Sequence, residues 1–229
     1  MRALHISIVA VLVLLLCGCG GGGSGSNSNA VLSIQSGNWS ISAVSTAAPG
    51  SNFSAGASLS QSGNSISGIM HFFNSPCFDS GTDVPVSGSV SGQKVTLTSP
   101  LIIGEVVTVN ASGSSTALSG TYTITASGPN CGVNDQGTFT AAVVPSISGT
   151  WHGSFTSFVN LGTTINVTAS ITQSAAPDAH GFFPVTGTVQ FSGSPCFTAG
   201  TVTSTPLASN IAGSVLSLNI STKTSPRRG

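Results

Sequence analysis

Thr121-Tyr122-Thr123-Ile124-Thr125-Ala126 decides how this 229-residue chain is read. Hydroxyl and apolar side chains alternate there with a period of two. That places Tyr122, Ile124 and Ala126 on one face of an extended strand and the three threonines on the other. The same alternation, bounded by Gly, Asn and Ser, predicts about eight strands in the first module. They lie around Trp39–Val44, Phe53–Gln61, Ser65–Phe73, Val84–Val90, Lys94–Ser99, Glu105–Ala111, Leu118–Ala126 and Gly137–Val144. No segment downstream of the N-terminal apolar run has a convincing helical period.

The connections alternate in length. Ser62-Gly63-Asn64, Ser91-Gly92-Gln93 and Ser112-Gly113-Ser114-Ser115 read as tight hairpin turns. Ser45–Asn52, Asn74–Asp83, Pro100–Gly104 and Ser127–Gln136 read as longer loops. Successive turns of an up-and-down meander fall at opposite ends, so all tight turns share one end and all long loops the other. The expected fold is therefore all-β, an up-and-down eight-stranded meander barrel. An immunoglobulin-like β-sandwich is the alternative, although it would use longer crossovers.

A repeat runs through the chain. Ser36-Gly37-Asn38-Trp39 matches Ser148-Gly149-Thr150-Trp151, and Ala57–Ser62 matches Ala169–Ser174. Gly68–Thr82 aligns without a gap to Gly187–Thr201, with Ser75-Pro76-Cys77-Phe78 opposite Ser194-Pro195-Cys196-Phe197. The repeated Gly-x-Trp opening and the strand count resemble the lipocalin and avidin-type barrels. That resemblance implies an interior able to carry a small apolar ligand. Leu218 falls opposite Leu97, so the second copy is expected to be truncated soon after its fifth strand, with a deliberately shorter domain as the alternative. Cys77 and Cys131 both lie in long loops at one end, which permits a disulfide, and Cys196 is left without a counterpart.

Arg2, the apolar run Ile6–Leu16 and Leu16-Cys17-Gly18-Cys19 resemble the signal and lipobox of bacterial lipoprotein precursors. The run is too short for a transmembrane helix, which needs about 20 apolar residues. The resemblance implies export, cleavage before Cys19, acylation of Cys19 and anchoring in the cell envelope. Gly20 follows the cysteine where an Asp would favour inner-membrane retention, which points to the outer membrane. The organisation is then a signal peptide at 1–18, a lipidated Cys and Gly/Ser tether at 19–35, module 1 at 36–145 and module 2 at 146–229.

Only 4% of the residues are charged and the formal net charge is zero. No basic patch for nucleic acid exists. Phe78-Asp79-Ser80-Gly81-Thr82 resembles the active-site loop of aspartic proteases, implying Asp79 as one member of a carboxylate pair. The second copy carries Thr198 in that place, so the pair cannot form within the chain. His71, Cys77, Asp79 and Asp83 are close enough in sequence to be considered as metal ligands, but Gln190, Thr198 and Val202 replace His71, Asp79 and Asp83 in the second copy. His152 and His180 read as exposed. No nucleophile elbow, zinc motif or phosphate loop is present, so neither catalysis nor a metal or cofactor is expected. The leading expectation is a lipid-anchored binding or scaffold protein whose long-loop end carries the binding face, with Phe73, Phe78, Asp79 and Asp83 its distinctive residues. A small apolar ligand carrier and, more remotely, an Asp79-dependent hydrolase are the alternatives. The partner other than the membrane is left open.

Overall fold

A computed structural model describes residues 31–46, 52–126, 134–157, 162–194, 196–203 and 209–224. The first eight strands are β1 (Gly37–Ser45), β2 (Asn52–Ser62), β3 (Ser65–Phe73), β4 (Val84–Ser91), β5 (Lys94–Thr98), β6 (Glu105–Gly113), β7 (Ala117–Ala126) and β8 (Asp135–Val143). Each pairs antiparallel with its sequence neighbour, and β8 returns to β1 with Ile41 opposite Ala141, closing an up-and-down barrel. The meander expectation holds, each strand being hydrogen-bonded to its neighbours in sequence. Gly63 and Gly92, at φ 58° and 60°, supply the left-handed backbone of the two-residue hairpin loops.

The inward residues fill the barrel. Trp39, Ile41, Leu59, Met70, Val95, Leu97, Val109 and Phe139 are among those lining an interior space of only about 20 Å³. That is room for one water molecule at most. Both ends are covered. At the tight-turn end the segment before β1 lies across the hairpins, burying Leu32 and Ile34. Leu32 N–H donates to the Gly92 carbonyl at 2.8 Å and Gln35 N–H to that of Ser115 at 2.7 Å. At the long-loop end Cys77 and Phe78 tuck inward, and the Phe78 ring stacks on Phe72 with centroids 4.7 Å apart.

The second module forms β9 (Gly149–Thr156), β10 (Thr164–Gln173), β11 (Phe183–Ser192), β12 (Phe197–Val202), β13 (Asn210–Ala212), β14 (Val215–Ser217) and β15 (Ile220–Thr224). It is an open sheet in the order β14-β13-β11-β10-β9, with β12 and β15 paired to each other beside β11. Among the described residues seven strands thus stand where five were expected, β13 and β14 having only three residues each. Phe197–Val202 is the counterpart of Phe78–Asp83, a loop in the first module, yet it pairs with β11 with Val202 opposite Gly187. In the first module Val86 occupies that place, opposite Gly68. Thr198 and Ala199 replace the turn-forming Asp79 and Ser80, so the segment keeps the period-two character of a strand. The second module has its own smaller core around Ile171, Phe183, Val185, Val189 and Val202.

Candidate functional site

The distinctive polar chemistry lies where the second module docks on the outer wall of the first. His71 sits on β3 in phase with the outward residues Ser67 and Ile69, where solvent would be expected, yet it is fully buried. The connection between β10 and β11 covers it. The offset between the two copies rises from 112 residues (Ala57 to Ala169) to 119 (Gly68 to Gly187). The second copy therefore carries seven extra residues where the first has a two-residue hairpin loop. That insertion holds Asp178, His180 and Phe182. Asp178 folds it into a turn, its Oδ1 accepting from the N–H groups of His180 at 2.9 Å and Phe182 at 3.0 Å.

The insertion grips His71 from two sides. Phe182 stacks on the imidazole with centroids 3.9 Å apart. Nε2 lies 2.7 Å from the carbonyl of His180, a contact in which the ring nitrogen must be the donor. Nδ1 is consequently the bare nitrogen of the neutral ring. Among the described residues it has no hydrogen-bond partner, and it faces Asp83 Oδ1 at 3.7 Å. Burial pushes the His71 pKa below its ordinary value, outweighing the His180 carbonyl and the Asp83 charge. The other Asp83 oxygen receives His180 Nδ1 at 2.6 Å. That hydrogen bond, with the Asp83 charge behind it, raises the pKa of the half-exposed His180. Among the described residues His180 has no hydroxyl or thiol partner that would turn the His–Asp pair into a nucleophilic triad. The arrangement is built to hold two surfaces together.

A second contact fixes the same junction. The turn between β13 and β14 lies on β1 and β2. Asn38 donates from Nδ2 to the Gly213 carbonyl at 3.0 Å and accepts the Gly213 N–H at 2.7 Å. The approach requires two glycines. A Cβ on Gly56 would lie 2.3 Å from the Ala212 carbonyl carbon, and one on Gly213, at φ +57°, would lie 2.8 Å from the Gly56 Cα.

The residues singled out from sequence are divided among three environments. Asp83 belongs to the junction and Asp79 is exposed. Phe73 is half-buried at the end of β3, whereas Phe78 is 3% exposed and packs inside the barrel. His71 and Asp83 come together, but Cys77 is in the core. Among the described residues no three His, Cys, Asp or Glu side chains converge as metal ligands would. Cys77 is not a free thiol and Cys196 is free and exposed. Cys19 and Cys131 lie outside the described residues.

Sequence reasoning missed three groups. His180 and Phe182 gave no signal beyond the length of the insertion. Inside the barrel, Asp135 accepts from Ser45 Oγ at 2.5 Å and from the Tyr122 hydroxyl at 3.0 Å, and burial together with this carboxylate pushes the tyrosine pKa up. Glu105 is fully buried at the start of β6, and among the described residues neither carboxylate oxygen has a hydrogen-bond partner. Its parity with inward Val107 and Val109 was the available signal. No protein-family model and no curated protein matches this sequence.

Proposed function

We propose that this chain is an exported cell-envelope lipoprotein, anchored through Cys19 in the outer membrane, whose two coupled β modules form a rigid binding or scaffold unit without catalysis. The observation that carries the non-carrier part of the reading is the filled barrel. An interior of about 20 Å³, closed by Leu32 and Ile34 at one end and Cys77 and Phe78 at the other, is far below the roughly 300 Å³ of small-molecule sites. Recognition then falls to the outer surface. A Cys77–Cys131 disulfide would staple the long-loop end, and the docked junction would hold the modules as one body.

Intact mass of the protein extracted from membranes tests the anchor. The expected mass begins at Cys19 and includes acyl chains, and Cys19→Ala abolishes both the added mass and membrane retention. A native mass without lipid overturns the anchoring. An apolar molecule co-purifying at one per chain, resistant to denaturant until the barrel unfolds, would overturn the filled-barrel reading in favour of a carrier.

A further inference from the structure

β9 has one neighbour where its counterpart β1 has two. Among the described residues β9 pairs only with β10, whereas β1 pairs with both β2 and β8. All eight residues of β9 are exposed. Trp151, Gly153 and Phe155 form its apolar face, with Trp151 49% and Phe155 42% exposed. Their counterparts Trp39, Ile41 and Ala43 are all buried in the closed barrel. Among the described residues nothing lies within 4 Å of a Cβ built on Gly153. The strand carries no Pro, Lys or carboxylate, the devices by which edge strands normally avoid pairing.

We propose that the β9 edge is an interface that takes a second copy of this chain, the two β9 strands pairing antiparallel about a two-fold axis at Gly153. The strand is self-complementary in that register. Trp151 falls opposite Phe155 of the second copy, twice, flanking a Gly153–Gly153 pair that leaves the aromatic rings room. On the polar face Thr150 meets Thr156 and His152 meets Ser154. Aromatic and Thr–Thr pairs of this kind are favourable cross-strand neighbours. A strand with no formal charge at neutral pH, in a chain of zero formal net charge, meets its copy without repulsion. Isologous pairing also closes the assembly at two copies through this edge. One strand pair buries less than a standard stable interface, so the association is weak in solution.

The full chain in detergent micelles, kept reduced so that Cys196 cannot cross-link, tests this by sedimentation. The mass is expected to pass from one copy to two across roughly 1–100 μM. Ser154→Lys puts a charge on the exposed face beside the axis without touching the core, and should weaken the dimer at least ~10-fold. In a Cys196→Ser background, Gly153→Cys should cross-link to itself under mild oxidant. Thr156→Cys should not, because six residues separate it from its copy's equivalent, about 20 Å. One copy at every concentration, a dimer indifferent to Ser154→Lys, or equal cross-linking at both positions overturns the proposal. Binding of a peptide with the β8 sequence while the chain stays single would overturn it too, assigning the edge to a foreign strand.

Discussion

Trp39 and Trp151 occupy the same position in two copies of one hairpin, and each donates its indole N–H at 2.9 Å to the carbonyl four residues upstream. Trp39 is fully buried, while Trp151 is half in solvent. The same holds for the aromatic pair near each module's Cys. Phe72 and Phe78 stack at 4.7 Å inside the barrel, whereas Phe191 and Phe197 stand 6.2 Å apart and tilted. A local hydrogen bond is duplicated too, the N–H of Cys77 and of Cys196 each bonding the hydroxyl of the Ser two residues before it at 3.2 Å. Hydrogen bonds among near neighbours are set by local sequence and survive in both copies. Burial is not local. It depends on β5 to β8 returning over the inner face of β1, and among the described residues no strands return over β9 in that way.

The largest test of this contrast is truncation of each tryptophan. Trp39→Ala should cost about 3–5 kcal/mol in denaturant unfolding of the first module, the cost of an unfilled core position. Trp151→Ala should cost under about 1 kcal/mol, as for a surface residue. Equal losses would mean that Trp151 is covered in solution, which would point back to its edge.

Next come the cysteines. If Cys77 is stapled to Cys131, reduction or Cys77→Ala should lower stability by about 2–4 kcal/mol. Cys196→Ser, at an exposed free thiol, should change the denaturation midpoint little. Smaller again is the junction. Gly56→Ala forces a methyl group into the backbone of Ala212 and should cost about 1–3 kcal/mol. It is expected to uncouple the unfolding of the two modules in calorimetry. The counterpart Thr168→Ala should leave their coupling intact, since its side chain meets the exposed His152 instead.

The finest effect is the pH response of the junction, where the two histidines act in opposite senses. The raised pKa of His180 means that its contribution is fully present below about 6.5, the unfolded value, and is lost as pH rises through the folded value. The lowered pKa of His71 means that its neutral, buried form is favoured above about 6.5, and that stability falls as acid forces a proton on it. Junction stability should therefore be greatest near neutrality. His180→Gln should flatten only the alkaline side of a melting-temperature profile. If it flattened the acid side, the assignment of the two rings would be reversed.

The closed barrel was legible because tight and long connections alternate and every strand keeps its period. The second module was less so. Phe197–Val202 has the composition of a strand and the alignment of a loop, and alignment to a closed module could not say which would prevail once the sheet stayed open. The junction was legible only by halves. Odd-numbered parity puts His71 on the outer wall, but nothing local to it announces Phe182, which arrives from 111 positions downstream through an insertion. Asp83 stood out from sequence as a candidate binding residue, and in the structure its carboxylate meets His180 within the chain.

The segment crossing the tight-turn end also has a mechanical consequence. Tension entering at Val31 would not meet β1 first. It would load the bond from Leu32 to the Gly92 hairpin, that from Gln35 to the Ser115 hairpin, and the Gln61 side chain, which accepts from Ile34 N–H at 2.7 Å and donates to the Leu32 carbonyl at 3.1 Å. Three hairpins share the force before any barrel strand is peeled. A molecule held by its N-terminus would thus be gripped by its whole base.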